Sequence, residues 1–164
     1  NFALFIGAVV ALGGWEWARL AGLAAQPLRI AYAALVAVLL YGLYVFPQLA
    51  AKVLLIAVVW WLLATLLVLN YPRSKVAFRS LPSKVLIGLL ILLPAWQGLV
   101  LLKQWPLGNY LIVAVMVLVW GADIGAYFAG RTIGGPKIAP SISPSKTWSG
   151  LGGGVLGATL ALFG

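Results

Sequence analysis

Apolar residues in this chain do not alternate with polar ones; they form long runs broken by short polar segments. Six runs stand out, at 2–18, 28–46, 53–69, 85–102, 110–130 and 148–164. A helix rises 1.5 Å per residue, so about 20 residues cross a hydrocarbon core of roughly 30 Å. Barrel strands would alternate apolar and polar residues, whereas these runs are apolar on every side. The pattern predicts an all-α fold: a polytopic transmembrane helical bundle with about six membrane segments in one domain, 1–164.

The helix breakers fall between the runs. Gln26-Pro27 precedes the second, Pro47 ends it, and Tyr71-Pro72 ends the third. Leu81-Pro82-Ser83 precedes the fourth and Pro106 the fifth. Pro94 lies inside the fourth run and predicts a kink. Trp60-Trp61 falls mid-run and reads as bulky packing.

Composition supports the membrane reading. The chain is 64% hydrophobic and only 8% charged, with a mean hydropathy of +1.10. A soluble domain carries about 25% charged residues, so this chain lacks the means to cover a soluble surface. With no cysteine and no histidine, thiol chemistry and the usual general base are both excluded. Catalysis would rest on carboxylates, lysine, hydroxyls and bound metal. The chain starts at Asn1 and stops at Gly164 within an apolar run, so both ends read as cut.

The net charge of +9 would suggest nucleic acid in a soluble protein. Here the basic residues sit between apolar runs, where they set orientation and meet anionic headgroups, and no nucleic-acid partner is expected. Arg19 and Arg29 flank the first loop, Arg73, Lys75, Arg79 and Lys84 fill the third, and Arg131, Lys137 and Lys146 fill the fifth. Lys52 and Lys103 stand alone in the second and fourth. Such alternation is what the positive-inside rule produces, and it predicts that the odd loops are cytoplasmic.

Two segments carry candidate chemistry. The first is Asp123, one of two acidic residues, inside the fifth apolar run. A carboxylate at such a place is expensive and marks function by default. Trp120, Asp123 and Tyr127 share one helix face by their i, i+3, i+7 spacing. Gly121, Gly125 and Gly130, with Ala122, Ala126 and Ala129, leave room for another helix or a ligand. The structural alternative is an Asp that pairs with Arg131 or bonds a neighbouring helix.

The second segment runs from Gly134 to Trp148, where three prolines oppose both helix and central strand. Lys137, Ser143, Ser145, Lys146 and Thr147 are candidate phosphate ligands, offering hydroxyl donors and positive charge. A helix starting near Thr147 would point free amides at the same region. A solvated basic loop is the competing reading. Gly150, Gly152, Gly153 and Gly154 then read as close helix packing. Glu16, between Trp15 and Trp17, reads as an interfacial or helix-pairing residue.

These residues resemble a known family, the phosphatidate cytidylyltransferases or CDP-diacylglycerol synthases. The likeness rests on Asp123, Gly125, Ala126 and Tyr127, followed by Lys137, Pro140, Ser143, Pro144, Lys146, Thr147, Trp148 and Gly150. The segment from Gly13 to Gly22 is also similar to that family's early helix end. The resemblance implies transfer of CMP from CTP to phosphatidate, giving CDP-diacylglycerol and pyrophosphate, with Mg²⁺ required. It implies catalytic roles for Asp123 and Lys146, and phosphate binding by Ser143, Ser145, Lys146, Thr147 and Lys137. It implies CTP, phosphatidate and membrane lipids as partners, with a homo-oligomer allowed, in the bacterial inner membrane with the active face cytoplasmic.

One departure matters. The family's main metal-binding carboxylates lie in a segment that would follow Gly164, and Asp123 is the one candidate metal contact within this stretch. The 164 residues alone are therefore expected to be inactive. A transporter or channel, or a CTP-dependent lipid kinase or cytidylyltransferase acting on another lipid, are the alternative functions.

Overall fold

The computed structural model describes residues 1–163. Six α-helices follow one another: α1 Phe2–Ala21, α2 Gln26–Val45, α3 Ala50–Leu69, α4 Leu81–Lys103, α5 Gly108–Thr132 and α6 Trp148–Phe163. Short 3-10 turns, Pro47–Leu49 and Arg73–Phe78, precede α3 and α4. Five helices are long and apolar enough to cross a membrane, the third counted with its preceding turn, and α6 is shorter at 16 residues. Gly164, which closes the sixth apolar run, lies outside the described residues.

Helix ends follow from the punctuation. Gln26-Pro27 and Leu81-Pro82 open α2 and α4, because proline lacks only an N–H that the first turn leaves unpaired. Gly22 ends α1 in the left-handed region at φ 105°. Its N–H bonds the Arg19 carbonyl, and the Leu23 N–H reaches back 2.9 Å to Ala18, which closes a Schellman motif. The helix α4 continues unbroken through Pro94. Several basic residues expected in loops lie in terminal helical turns instead, among them Arg19, Lys52, Lys103 and Arg131.

The chain divides into two compact units, 1–101 and 102–164. In the first, a small core gathers Ala18, Tyr32, Val36, Leu40 and Trp96. Gly14 lets α1 approach α2 so closely that a Cβ there would stand 3.1 Å from Val36 Cγ2. Indole donors tie α4 to α1 at two levels, one from each helix. Trp17 Nε1 donates to the Lys84 carbonyl at 2.8 Å, and Trp96 Nε1 donates to the Ala3 carbonyl at 3.0 Å. Tyr32 adds a bond to the Val85 carbonyl at 2.9 Å. These donors sit in apolar surroundings where an unpaired N–H or O–H would be costly.

Glu16 is a helix-pairing residue. Its carboxylate lies 3.9 Å from Arg29 Nη2, and the Arg29 guanidinium stacks 3.7 Å above the Trp15 ring. The α1–α2 hairpin is thus clasped at one end. Trp61, expected to pack, instead points outward at 57% exposure, and α3 buries only Ala50 and Ala57. In lipid, outward aromatic and aliphatic surface has no cost of the kind it has in water.

The second unit pairs α5 with α6 through a short hairpin. Small residues dominate the contact. A Cβ on Gly121 would stand 2.7 Å from the Gly157 carbonyl oxygen, and one on Gly153 would stand 2.5 Å from the Gly125 carbonyl oxygen. Such approach replaces side-chain bulk with backbone van der Waals contact, the dominant attraction between helices in lipid.

Candidate functional site: a hairpin and the outer face of α5

The segment after α5 is not an open loop. Gly134 and Gly135 take positive φ, 64° and 106°, and turn the chain back on itself. Two strands follow, β1 Lys137–Ala139 and β2 Ser143–Thr147, paired antiparallel. Lys137 faces Thr147 and Ala139 faces Ser143, with a bulge between the two pairs. The prolines oppose helix and central strand, as expected, and neither forms here. Proline is excluded from central strands, but both strands of a two-stranded ribbon are edges, so Pro144 is tolerated within β2. The Trp148 N–H donates to the Pro136 carbonyl at 3.1 Å and ties the ribbon's base to α6.

Thr147 joins the ribbon to the helix. It is 3% exposed, and its Oγ1 accepts the Gly150 N–H at 3.1 Å, the geometry of an N-cap. The Ser149 hydroxyl lies 3.0 Å from it and donates onward to the Gly134 carbonyl. Three segments are thereby locked together: the glycine turn, the end of β2 and the first turn of α6. Gly130 leaves space for this, since a Cβ there would stand 3.3 Å from Thr147 Oγ1.

The remaining candidates on the ribbon are outward. Lys137, Ser145 and Lys146 are exposed and Ser143 is half-buried. Alternation along β2 puts Ser143, Ser145 and Thr147 on one face, with Pro144 and Lys146 on the other. The Ser143 and Ser145 hydroxyls therefore share a face with Lys137, which pairs with Thr147, while the Lys146 ammonium points to the opposite face, so the candidates do not form one cluster.

Asp123 lies within α5, inside the fifth apolar run as the sequence places it. It is not buried; it stands on the exposed side of α5, and among the described residues it has no hydrogen-bond or ion-pair partner. The small residues decide this. Gly121, Gly125 and Ala129 turn toward α6, and Asp123 lies off that face. Arg131 does not pair with it; Arg131 Nη1 donates to the Tyr127 hydroxyl one turn back, and the guanidinium lies 5.7 Å from the Tyr127 ring centroid. Asp123 sits about 13 Å below the last residue of α5 at 1.5 Å per residue. Tyr127 and Arg131, not singled out by the sequence as site residues, form an i, i+4 pair that their spacing already allowed.

The model of the cytidylyltransferase family matches residues 1–163. The phosphatidate cytidylyltransferase of Pseudomonas aeruginosa is 66% identical over 154 residues, covering 94% of this chain and 57% of that protein. The phosphatidate cytidylyltransferase of Haemophilus influenzae is 37% identical over 180 residues, covering 99% of this chain and 62% of that protein. That of Rickettsia bellii is 47% identical over 76 residues, or 46% of this chain and 33% of its own length. The chain thus spans about three-fifths of the length of the first two relatives. No solved structure matches it. A family model matched from end to end of the described residues, over membrane helices and a capped serine–lysine hairpin, means that this chain belongs to the cytidylyltransferase family.

Proposed function

We propose that the protein transfers CMP from CTP to phosphatidate, giving CDP-diacylglycerol and pyrophosphate. The observation that carries this reading is the capped ribbon, whose exposed Lys137, Ser145 and Lys146 are held on a rigid base by Thr147. A phosphate oxygen of phosphatidate attacks the α-phosphorus of CTP. The bond from that phosphorus to the bridging oxygen breaks, and pyrophosphate leaves with the electron pair. This chemistry needs positioning and charge neutralisation more than a strong base. Lys137, Ser143 and Ser145, on one face of the ribbon, supply charge and hydrogen bonds to the nucleotide phosphates, and Lys146 adds positive charge from the opposite face. Thr147 acts chiefly as the cap that positions the other four.

Asp123 is the acidic group assigned to the reaction from this stretch. Membership of the family implies a divalent cation, for which Mg²⁺ is our assignment. Among the described residues no three His, Cys, Asp or Glu side chains gather. Glu16 is engaged with Arg29, and a single carboxylate does not make a Mg²⁺ site. The odd loops, including the ribbon, face the cytoplasm of a bacterial inner membrane, an orientation supported by their excess of Lys and Arg.

The test is turnover of radiolabelled CTP by the full-length protein with and without phosphatidate. Label should enter a lipid product only when phosphatidate is present. Lys146→Ala should cut that incorporation about tenfold or more, as loss of a charge-assisted contact does, while Lys75→Ala should not. No lipid-linked label, or equal losses in both variants, overturns the proposal.

A further inference from the structure

The outward face of α5 combines three features. At the helix end, Arg131 donates to the Tyr127 hydroxyl and both side chains are exposed. A guanidinium has five N–H donors and that contact uses one, while Tyr127, accepting from Arg131, keeps its own proton for another acceptor. What the pair presents outward is positive charge and free donors. An anion that only accepts, with several oxygens in a fork-like array, is the complement, and phosphate is such an anion.

The second feature is what lies inward of the pair. Trp120, Met116 and Val113 continue the same side of the helix, all exposed, with Ile124 and Phe128 beside them. A ligand with its phosphate on Arg131 therefore passes Asp123 at one edge of that side and Ile124 at the other before it reaches the apolar surface of Trp120 and Met116 below. CTP carries a polar sugar and base, whereas a phospholipid carries acyl chains.

The third is Asp123. It has no partner among the described residues and stands about 12 Å of helix rise below Arg131. Its charge repels an anion and sets the inner limit of the phosphate's depth. The free carbonyls at the end of α5 also disfavour an anion, so the attraction must come from the guanidinium.

We propose that Tyr127 and Arg131 bind the phosphate of the lipid substrate, with its acyl chains along Trp120 and Met116, and that the ribbon is left for the nucleotide. This assignment rests on the cytidylyl-transfer reading. It separates the two substrates by element: the lipid on α5, CTP on the hairpin.

The experiment uses full-length protein in detergent micelles. Initial rates are measured against phosphatidate at saturating CTP, and against CTP at saturating phosphatidate. Arg131→Ala should raise the KM for phosphatidate about tenfold and leave that for CTP unchanged, and Lys146→Ala should do the reverse. Tyr127→Phe and Arg131→Lys, which disturb folding least, should each raise the phosphatidate KM severalfold. A rise in the CTP KM for the Arg131 variants, or a lower kcat with both KM values unmoved, overturns the proposal. A second arm omits CTP: immobilised protein should retain radiolabelled phosphatidate over phosphatidylcholine, and Arg131→Lys and Tyr127→Phe should weaken that retention. If CTP is not turned over yet retention depends on Arg131, the reaction is wrong and the lipid site stands. If CTP is turned over and retention ignores both residues, the lipid site is wrong and the reaction stands.

Discussion

Thr147 Oγ1 lies 3.1 Å from the backbone nitrogen of Gly150 and accepts its N–H, so the last residue of the ribbon is also the cap of α6. One hydroxyl therefore couples the position of Lys146 to the start of a helix. Its burial, at 3% exposure, shields that bond from water. Loss of such a cap costs about 1 kcal/mol, and a buried amide left unpaired adds to it.

Thr147→Ala should accordingly lower the thermal midpoint of the full-length protein in detergent, while Thr147→Ser, which keeps the hydroxyl, should restore most of it. Because the cap holds the ribbon, Thr147→Ala should also weaken CTP use. Weakened CTP use with an unchanged midpoint would mean that the hydroxyl binds substrate directly.

The α5–α6 contact makes a second prediction, because two adjacent glycines in α6 have opposite surroundings. A Cβ on Gly153 would collide with Ala129 and the Gly125 carbonyl, whereas one on Gly152 meets nothing within 4 Å. Gly153→Ala must push the helices apart, a strain of about 1–3 kcal/mol. Gly152→Ala removes a glycine from an exposed helical position and should stabilise by a few tenths of a kcal/mol up to about 1. Thermal unfolding of the two variants, measured side by side, should move in opposite directions. Equal shifts would mean that the helices do not approach as described.

The helices were legible because the runs are long and their breakers are prolines and glycines with positional meaning. Gln26-Pro27, Gly22 and Leu81-Pro82 stand at helix ends as their chemistry requires. The ends themselves shifted outward because Arg19, Lys52 and Arg131 are polar yet continue a helix into its terminal turn. The ribbon was less legible. Its strands are three and five residues long and contain proline, so no periodicity announces them. What forms it is tertiary: the Gly134-Gly135 reversal, the Trp148–Pro136 bond and the Thr147 cap. The outward placement of Asp123 is set by rotation of α5 about its axis. Gly121, Gly125 and Ala129 encode that rotation at four-residue spacing, but composition alone does not say that this stripe, and not the carboxylate, faces the neighbouring helix.

Within the first unit, Gly88 makes a third prediction. A Cβ there would overlap the Trp17 indole and the Tyr32 hydroxyl, the two groups that bond the Lys84 and Val85 carbonyls. Gly88→Ala should displace both donors and destabilise by about 1–3 kcal/mol. Gly98, in the same helix with nothing within 4 Å, is the control. Gly98→Ala should leave the thermal midpoint unchanged or higher, and Trp17→Phe should remove part of the Gly88→Ala penalty, because the indole edge that clashes is then smaller. Additive losses in that double variant would show that the two residues do not meet.

The orientation can be tested directly, because the chain contains no cysteine and single cysteines can be placed at will. Ala77 and Ser141 lie exposed in segments rich in Lys and Arg, and Gln48 and Gln104 lie exposed in segments carrying one lysine each. Positive residues are retained on the cytoplasmic side during insertion, and the bias counts most in short loops such as these. A membrane-impermeant thiol reagent added to intact cells should therefore modify Gln48→Cys and Gln104→Cys, and should reach Ala77→Cys and Ser141→Cys only after the membrane is opened. CTP is made and held in the cytoplasm, so the ribbon must lie there if it is to meet the nucleotide. Modification of Ser141→Cys in intact cells would place the Lys146 segment on the wrong side of the membrane for its assigned substrate, and would overturn both the orientation and the nucleotide site together.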